Sequence, residues 1–109
     1  MLFRSDGEIA RSCITYAGAC QGVVVRTIEG FDDDALMERL RAAFTAEHAL
    51  QCGYCISGIL MTAAALLRQN PSPTEAQVRA ALDRNLCRCG SHNRIVRAIM
   101  RAAKEMAPA

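Results

Sequence analysis

Two tight cysteine pairs constrain this chain more than any other feature. Cys52-Gly53-Tyr54-Cys55 and Cys87-Arg88-Cys89 are separated by 31 residues that read largely as helix. Two further cysteines, Cys13 and Cys20, precede them, making six in 109 residues. An even count suits disulfides when a chain is secreted. Here Met1-Leu2-Phe3-Arg4-Ser5-Asp6 reaches charge at once, with no apolar leader run. The longest apolar stretch, Ile56 to Leu67, is about a dozen residues, short of the ~20 that span a bilayer. The expectation is a cytoplasmic chain without membrane insertion, whose cysteines are metal ligands or catalysts rather than staples.

The net charge of +2 is too small to point to nucleic acid, and no nucleic-acid partner is expected. Its distribution is uneven. Residues 1–50 carry five Arg against eight acids, and residues 51–109 carry eight Arg or Lys against three. The basic half reads first as a solvated helical surface, and second as a face for an acidic partner. No hydrolytic triad, paired-carboxylate site or phosphate loop is present in the sequence.

With 51% hydrophobic residues, 5% aromatics and no Trp, the core must come from Ala, Leu, Ile, Val and Met, a helical composition. Two β-like runs open the chain, Glu8–Tyr16 and Gly22–Ile28, bounded by Asp6-Gly7 and Glu29-Gly30. After Gly30 the period becomes helical. Asp32-Asp33-Asp34 marks a helix start, and Leu36, Met37, Leu40, Ala43 and Phe44 recur through about Glu47. A second helix, about Ser57 to Arg68, is apolar nearly all round and so central. Asn70-Pro71-Ser72-Pro73 stops it. A third starts at overlapping caps, Ser72-x-x-Glu75 or Thr74-x-x-Gln77. A fourth, about Asn93 to Met106, turns Ile95, Val96, Ile99, Met100 and Ala103 inward and Arg94, Arg97, Arg101 and Lys104 outward. Short connections make the fold a mainly α four-helix bundle behind a short β-hairpin.

Both cysteine pairs then fall at helix-to-helix junctions, which can meet at one end of a bundle. Four converging thiolates suit zinc or an iron–sulfur cluster. A one-residue C-x-C arm is unusual for structural zinc, whereas a [2Fe-2S] rhomb takes one cysteine pair on each iron. Such a cluster is anionic, and backbone N–H groups near Gly53, Gly58 and Gly90 are expected to offset its charge. His48 and His92 flank the motifs, but four thiols leave them no ligand role. Tyr54 is expected to pack against the cluster loop. A dithiol oxidoreductase would need a strand before Cys-Gly-Tyr-Cys, and none is read there.

Gln51-Cys-Gly-Tyr-Cys55 with Gly58, then Asn70-Pro-Ser-Pro-Thr-Glu75, then Asn85-Leu-Cys-Arg-Cys-Gly90, resembles the iron–sulfur subunits of molybdenum hydroxylases, the xanthine oxidase family. The likeness is to small subunits of bacterial dehydrogenases acting on N-heteroaromatics or aldehydes, and it covers essentially the whole chain. It implies an electron-transfer chain with one [2Fe-2S] cluster on Cys52, Cys55, Cys87 and Cys89. It also implies a molybdopterin-binding large subunit as partner, with Gln51 and Cys89 nearest the pterin, and a flavin subunit or other acceptor beyond. Asp6 to Cys13 resembles the hairpin carrying the last ligand of a plant-type ferredoxin cluster, whose other three cysteines this sequence lacks. The resemblance therefore implies a ferredoxin-type remnant over residues 1–30 and a helical cluster-binding domain over residues 31–109. Cys13 is then an orphan ligand, and Cys20 has no assigned role. A zinc-stabilised helical adaptor without redox function is the alternative.

Overall fold

The computed structural model describes residues 2–4 and 7–106. Three short strands open the fold: β1 (Leu2–Arg4), β2 (Ile9–Ala10) and β3 (Val25–Arg26). β1 is central, antiparallel to both neighbours, with Phe3 opposite Ile9 on one side and Arg26 on the other. The two β-like runs therefore do not pair with each other, and each keeps only two residues as strand. Between them the chain folds into single 3₁₀ turns, Ser12–Ile14 and Ala17–Cys20. The Arg11 carbonyl accepts from both the Ile14 N–H (3.2 Å) and the Thr15 hydroxyl (2.7 Å). Ile14, Tyr16 and Val24 are exposed, so no second layer rewards extending the strands.

The arm joins the helices through a third 3₁₀ turn, Ile28–Phe31, whose Phe31 is buried in the core. The Arg26 guanidinium lies 4.0 Å over the Phe31 ring and donates to the Gly30 carbonyl at 2.6 Å. Ile9 and Ile28 pack against the same core from the arm.

Four helices follow: α1 (Ala35–Ala46), α2 (Ile56–Gln69), α3 (Glu75–Ala81) and α4 (His92–Met106). Of the three aspartates, Asp34 caps α1 by accepting the Met37 N–H, while Asp32 pairs with Arg41 and Asp33 with Arg26. Met37, Leu40, Ala43 and Phe44 form the buried face of α1, as their spacing requires. The helix ends in a Schellman motif: the Ala49 N–H donates to the Phe44 carbonyl (2.9 Å) and the His48 N–H to the Thr45 carbonyl (3.2 Å). This puts His48 at φ 51°, in the left-handed region.

Continuous burial of Ile59 through Ala65, plus Leu67, makes α2 the central helix. The competing caps of α3 resolve in favour of Thr74, whose hydroxyl accepts the Gln77 N–H while the Gln77 side chain accepts the Thr74 N–H. On α4, Ile95, Val96, Ala98, Ile99, Ala102 and Ala103 are buried, Met100 is half-buried, and the four cations face outward. α1 packs on α2 and α4, and α3 on α2 and α4. No described helix is long and apolar enough to cross a membrane.

Candidate metal centre

Both cysteine pairs sit where a helix has just ended or is about to begin. Gly53, at φ +83°, turns the chain between Cys52 and Cys55, and the Ile56 N–H closes that turn on the Gly53 carbonyl at 3.2 Å. Cys55 is the N-cap residue of α2. Gly90, at φ +73°, reverses the second loop, with its N–H donating to the Cys87 carbonyl at 3.2 Å. Only glycine takes these left-handed conformations without a Cβ penalty.

The two cysteine-bearing loops adjoin across that junction. The Cys55 thiol interacts electrostatically with Cys87 and, more weakly, with Cys52. Burial, then the Cys87 sulfur, pushes the Cys55 thiol up to about 11. Cys87 moves the other way. The Ser91 N–H is the largest cause, stronger than the opposing effect of burial, and the Cys55 thiol and the N–H groups of Cys89 and Gly90 add to it. The backbone N–H groups of Ser91, Cys89 and Gly90 thus all favour the thiolate form of Cys87. The Gly58 carbonyl accepts the Thr62 hydroxyl at 2.9 Å. Cys89 joins the site through its backbone.

Side chains reinforce the junction. The Gln51 amide donates to the Ser91 hydroxyl at 3.4 Å, tying the residue before Cys52 to the residue after Gly90. Ser91, only 4% exposed, is a site residue that sequence reasoning missed; its one signal was its place immediately before α4. Thr62 of α2 contacts the Asn85 side chain at 3.3 Å. The arm reaches the same loop, since the Arg11 guanidinium donates to the Arg84 carbonyl at 3.1 Å.

Tyr54 does not pack against the loop as expected. It is 93% exposed, and with Leu86 (80%) it forms an apolar rim beside the thiols. A cleft of about 410 Å³ between them is lined by Cys55, Gly58 and Asn85. Among the described residues no three Cys, His, Asp or Glu side chains gather as a single-ion site. His48 stands in the α1 terminus and His92 on the exposed start of α4. Cys13 and Cys20 belong to the two turns of the arm, and the Cys20 thiol faces the Tyr16 carbonyl at 3.9 Å.

The donor set fits a [2Fe-2S] group: soft sulfurs from two separate segments that side-chain contacts hold together, and backbone N–H groups that favour a thiolate at Cys87. The [2Fe-2S] binding domain family matches residues 27–100, and the chain belongs to that family. Its relatives include subunits of oxidoreductases, in line with the resemblance. The chain is 52% identical over 102 residues to the isoquinoline 1-oxidoreductase subunit alpha of Brevundimonas diminuta, covering 94% of this chain and 66% of that protein. It is 31% identical to the aldehyde oxidoreductase iron–sulfur-binding subunit of Escherichia coli, covering 93% and 51% respectively. The fold superimposes on quinoline 2-oxidoreductase from Pseudomonas putida with a TM-score of 0.85 at 37% identity, covering 94% of this chain and 64% of that one. The chain thus spans about half to two thirds of the length of these relatives.

Proposed function

We propose that Cys52, Cys55, Cys87 and Cys89 hold one [2Fe-2S] cluster, and that the chain is the electron-transfer component of a cytoplasmic molybdenum hydroxylase. The observation that carries this reading is that the two cysteine-bearing loops are held side by side, the Gln51 amide on the Ser91 hydroxyl at 3.4 Å and Thr62 against Asn85 at 3.3 Å. The cluster, when bound, supplies one-electron transfer. The chain's own residues do the rest. Cys52 and Cys55 present sulfur from the α2 side and Cys87 and Cys89 from the α4 side, while the backbone donors favour the thiolate form and set the potential.

Gln51 and Cys89 are the residues we assign to the pterin side of the site, facing a large molybdopterin-binding subunit. That subunit oxidises an N-heteroaromatic or aldehyde substrate, and a flavin subunit or another acceptor takes the electrons onward. No substrate chemistry falls on this chain. We read residues 31–109 as the cluster domain and residues 1–30 as a piece of ferredoxin type.

Anaerobic reconstitution with iron and sulfide tests the reading. About two irons and two labile sulfides per chain, with a single spin-half EPR signal after dithionite reduction, is the expected result. One zinc and no sulfide overturns it in favour of the zinc-stabilised adaptor. Two distinct EPR signals overturn the one-cluster assignment.

A further inference from the structure

We infer that Thr62 and Asn85 are positioning residues for the cluster, forming a side-chain tie that sets how far the Cys87 loop stands from Cys55. This rests on the four-cysteine reading above. Thr62 is 5% exposed on the central helix, where its neighbours Ile59, Leu60, Met61 and Ala63 are all apolar. A Val would fill that space equally well, so the hydroxyl needs a reason to be there. Its Oγ1 lies 2.9 Å from the Gly58 carbonyl and 3.3 Å from Oδ1 of Asn85. A hydroxyl has one proton, and the shorter contact takes it. The Oγ1 lone pairs then face Asn85. The terminal amide of Asn85, turned by half a rotation, presents its N–H to them, since amide oxygen and nitrogen exchange places by that rotation. Asn fits this role, while Asp would bring a second acceptor.

Both ends of the tie lead directly to a cysteine. Thr62 lies seven residues beyond Cys55 in unbroken helix, nearly two full turns, and so on the same face. Asn85 stands two residues before Cys87, with its own N–H fixed to the Leu82 carbonyl at 2.8 Å where α3 ends. The loop carrying Cys87 and Cys89 is therefore held on both sides, by Thr62 at Asn85 and by Gln51 at Ser91. Both ties run from the segment that bears Cys52 and Cys55.

The test uses the full chain, reconstituted anaerobically with iron and sulfide, as wild type, Thr62→Val, Thr62→Ser, Asn85→Asp and the double variant T62V/N85D. Iron release to a chelator and the visible CD and EPR spectra of the cluster are measured beside far-UV CD. T62V and N85D should release iron about fivefold faster than wild type, the loss expected for one hydrogen bond of ordinary net worth, with altered visible CD. T62S should match wild type, and the double variant should be no worse than the worse single. Wild-type release and spectra in T62V and N85D, even with lowered stability, overturn the inference. So does a T62S that behaves like T62V, which would make the methyl the working group. If T62V fails to fold, Asn85→Ser, in the half-buried loop, carries the same comparison. A wild-type chain that takes up no cluster removes the four-cysteine reading and this inference together. A loaded wild type with unresponsive variants removes this inference alone.

Discussion

Asp34 joins three parts of the chain through one carboxylate. Oδ1 accepts the Met37 N–H at 2.9 Å and caps α1, while Oδ2 is held by Arg68 near the end of α2 and faces Arg26 of β3 at 3.9 Å. Asp34→Ala removes a cap worth about 1 kcal/mol. It also removes two pairs to partly exposed arginines, each worth roughly 0.2–1 kcal/mol. The expected loss is about 2 kcal/mol, and Asp34→Asn, which still caps, should lose about half of that. The pH dependence has a definite sign. Burial pushes the carboxyl up, but the Met37 N–H, the Arg68 hydrogen bond and the charges of Arg68 and Arg26 together outweigh it and hold the pKa below 3.8. The unfolded chain therefore takes up this proton first as pH falls. The charge-dependent stability is complete above about pH 5, and it fades as pH drops through the unfolded value of ~3.9 to the folded one. Urea unfolding of the metal-free full chain, followed by helical CD, should show the wild-type advantage over Asp34→Asn at pH 7 and its narrowing near pH 3. A gap that widens in acid refutes the electrostatic argument. Equal losses in the Asn and Ala variants at pH 7 refute the capping argument.

Single Ser substitutions of Cys52, Cys55, Cys87 or Cys89 should each cut bound iron severely, whereas Cys13→Ser and Cys20→Ser should leave iron content and the EPR signal unchanged; iron and sulfide analysis of reconstituted protein checks both. His48→Gly should raise stability by about 1 kcal/mol, because glycine relieves the left-handed backbone at the end of α1, and a higher urea midpoint at unchanged m-value is the readout. Thr74→Ala should cost about 1 kcal/mol by removing the acceptor of the Gln77 N–H, while Thr74→Ser should restore it in the same titration.

The helices were legible because their information is local. Asp34, Thr74 with Gln77, and the apolar period on α1 and α4 each fix a start or a face within a few residues. The arm was less legible because its strands depend on what they pair with. Ile14 and Val24 have strand-forming side chains, yet both stay exposed and their segments turn. β1 occupies the position that a direct pairing of the two longer runs would have needed.

The site divides along the same line. The spacing singles out Cys52, Cys55, Cys87 and Cys89 as candidate ligands, and helix order puts both of their segments at helix-to-helix junctions. How the sulfurs are held is a tertiary property. Ser91, Thr62 and Asn85 carry no motif chemistry of their own, and each gains its role from a residue 23 or 40 positions away. Tyr54 makes the converse point. Its place inside the C-x₂-C motif suggested packing, but the Gly53 turn directs it outward, where it borders the thiols with Leu86. Two exposed apolar side chains beside the half-buried cysteines are costly for an isolated chain. They are consistent with a protein surface that covers this end of the bundle, as the proposed large subunit would.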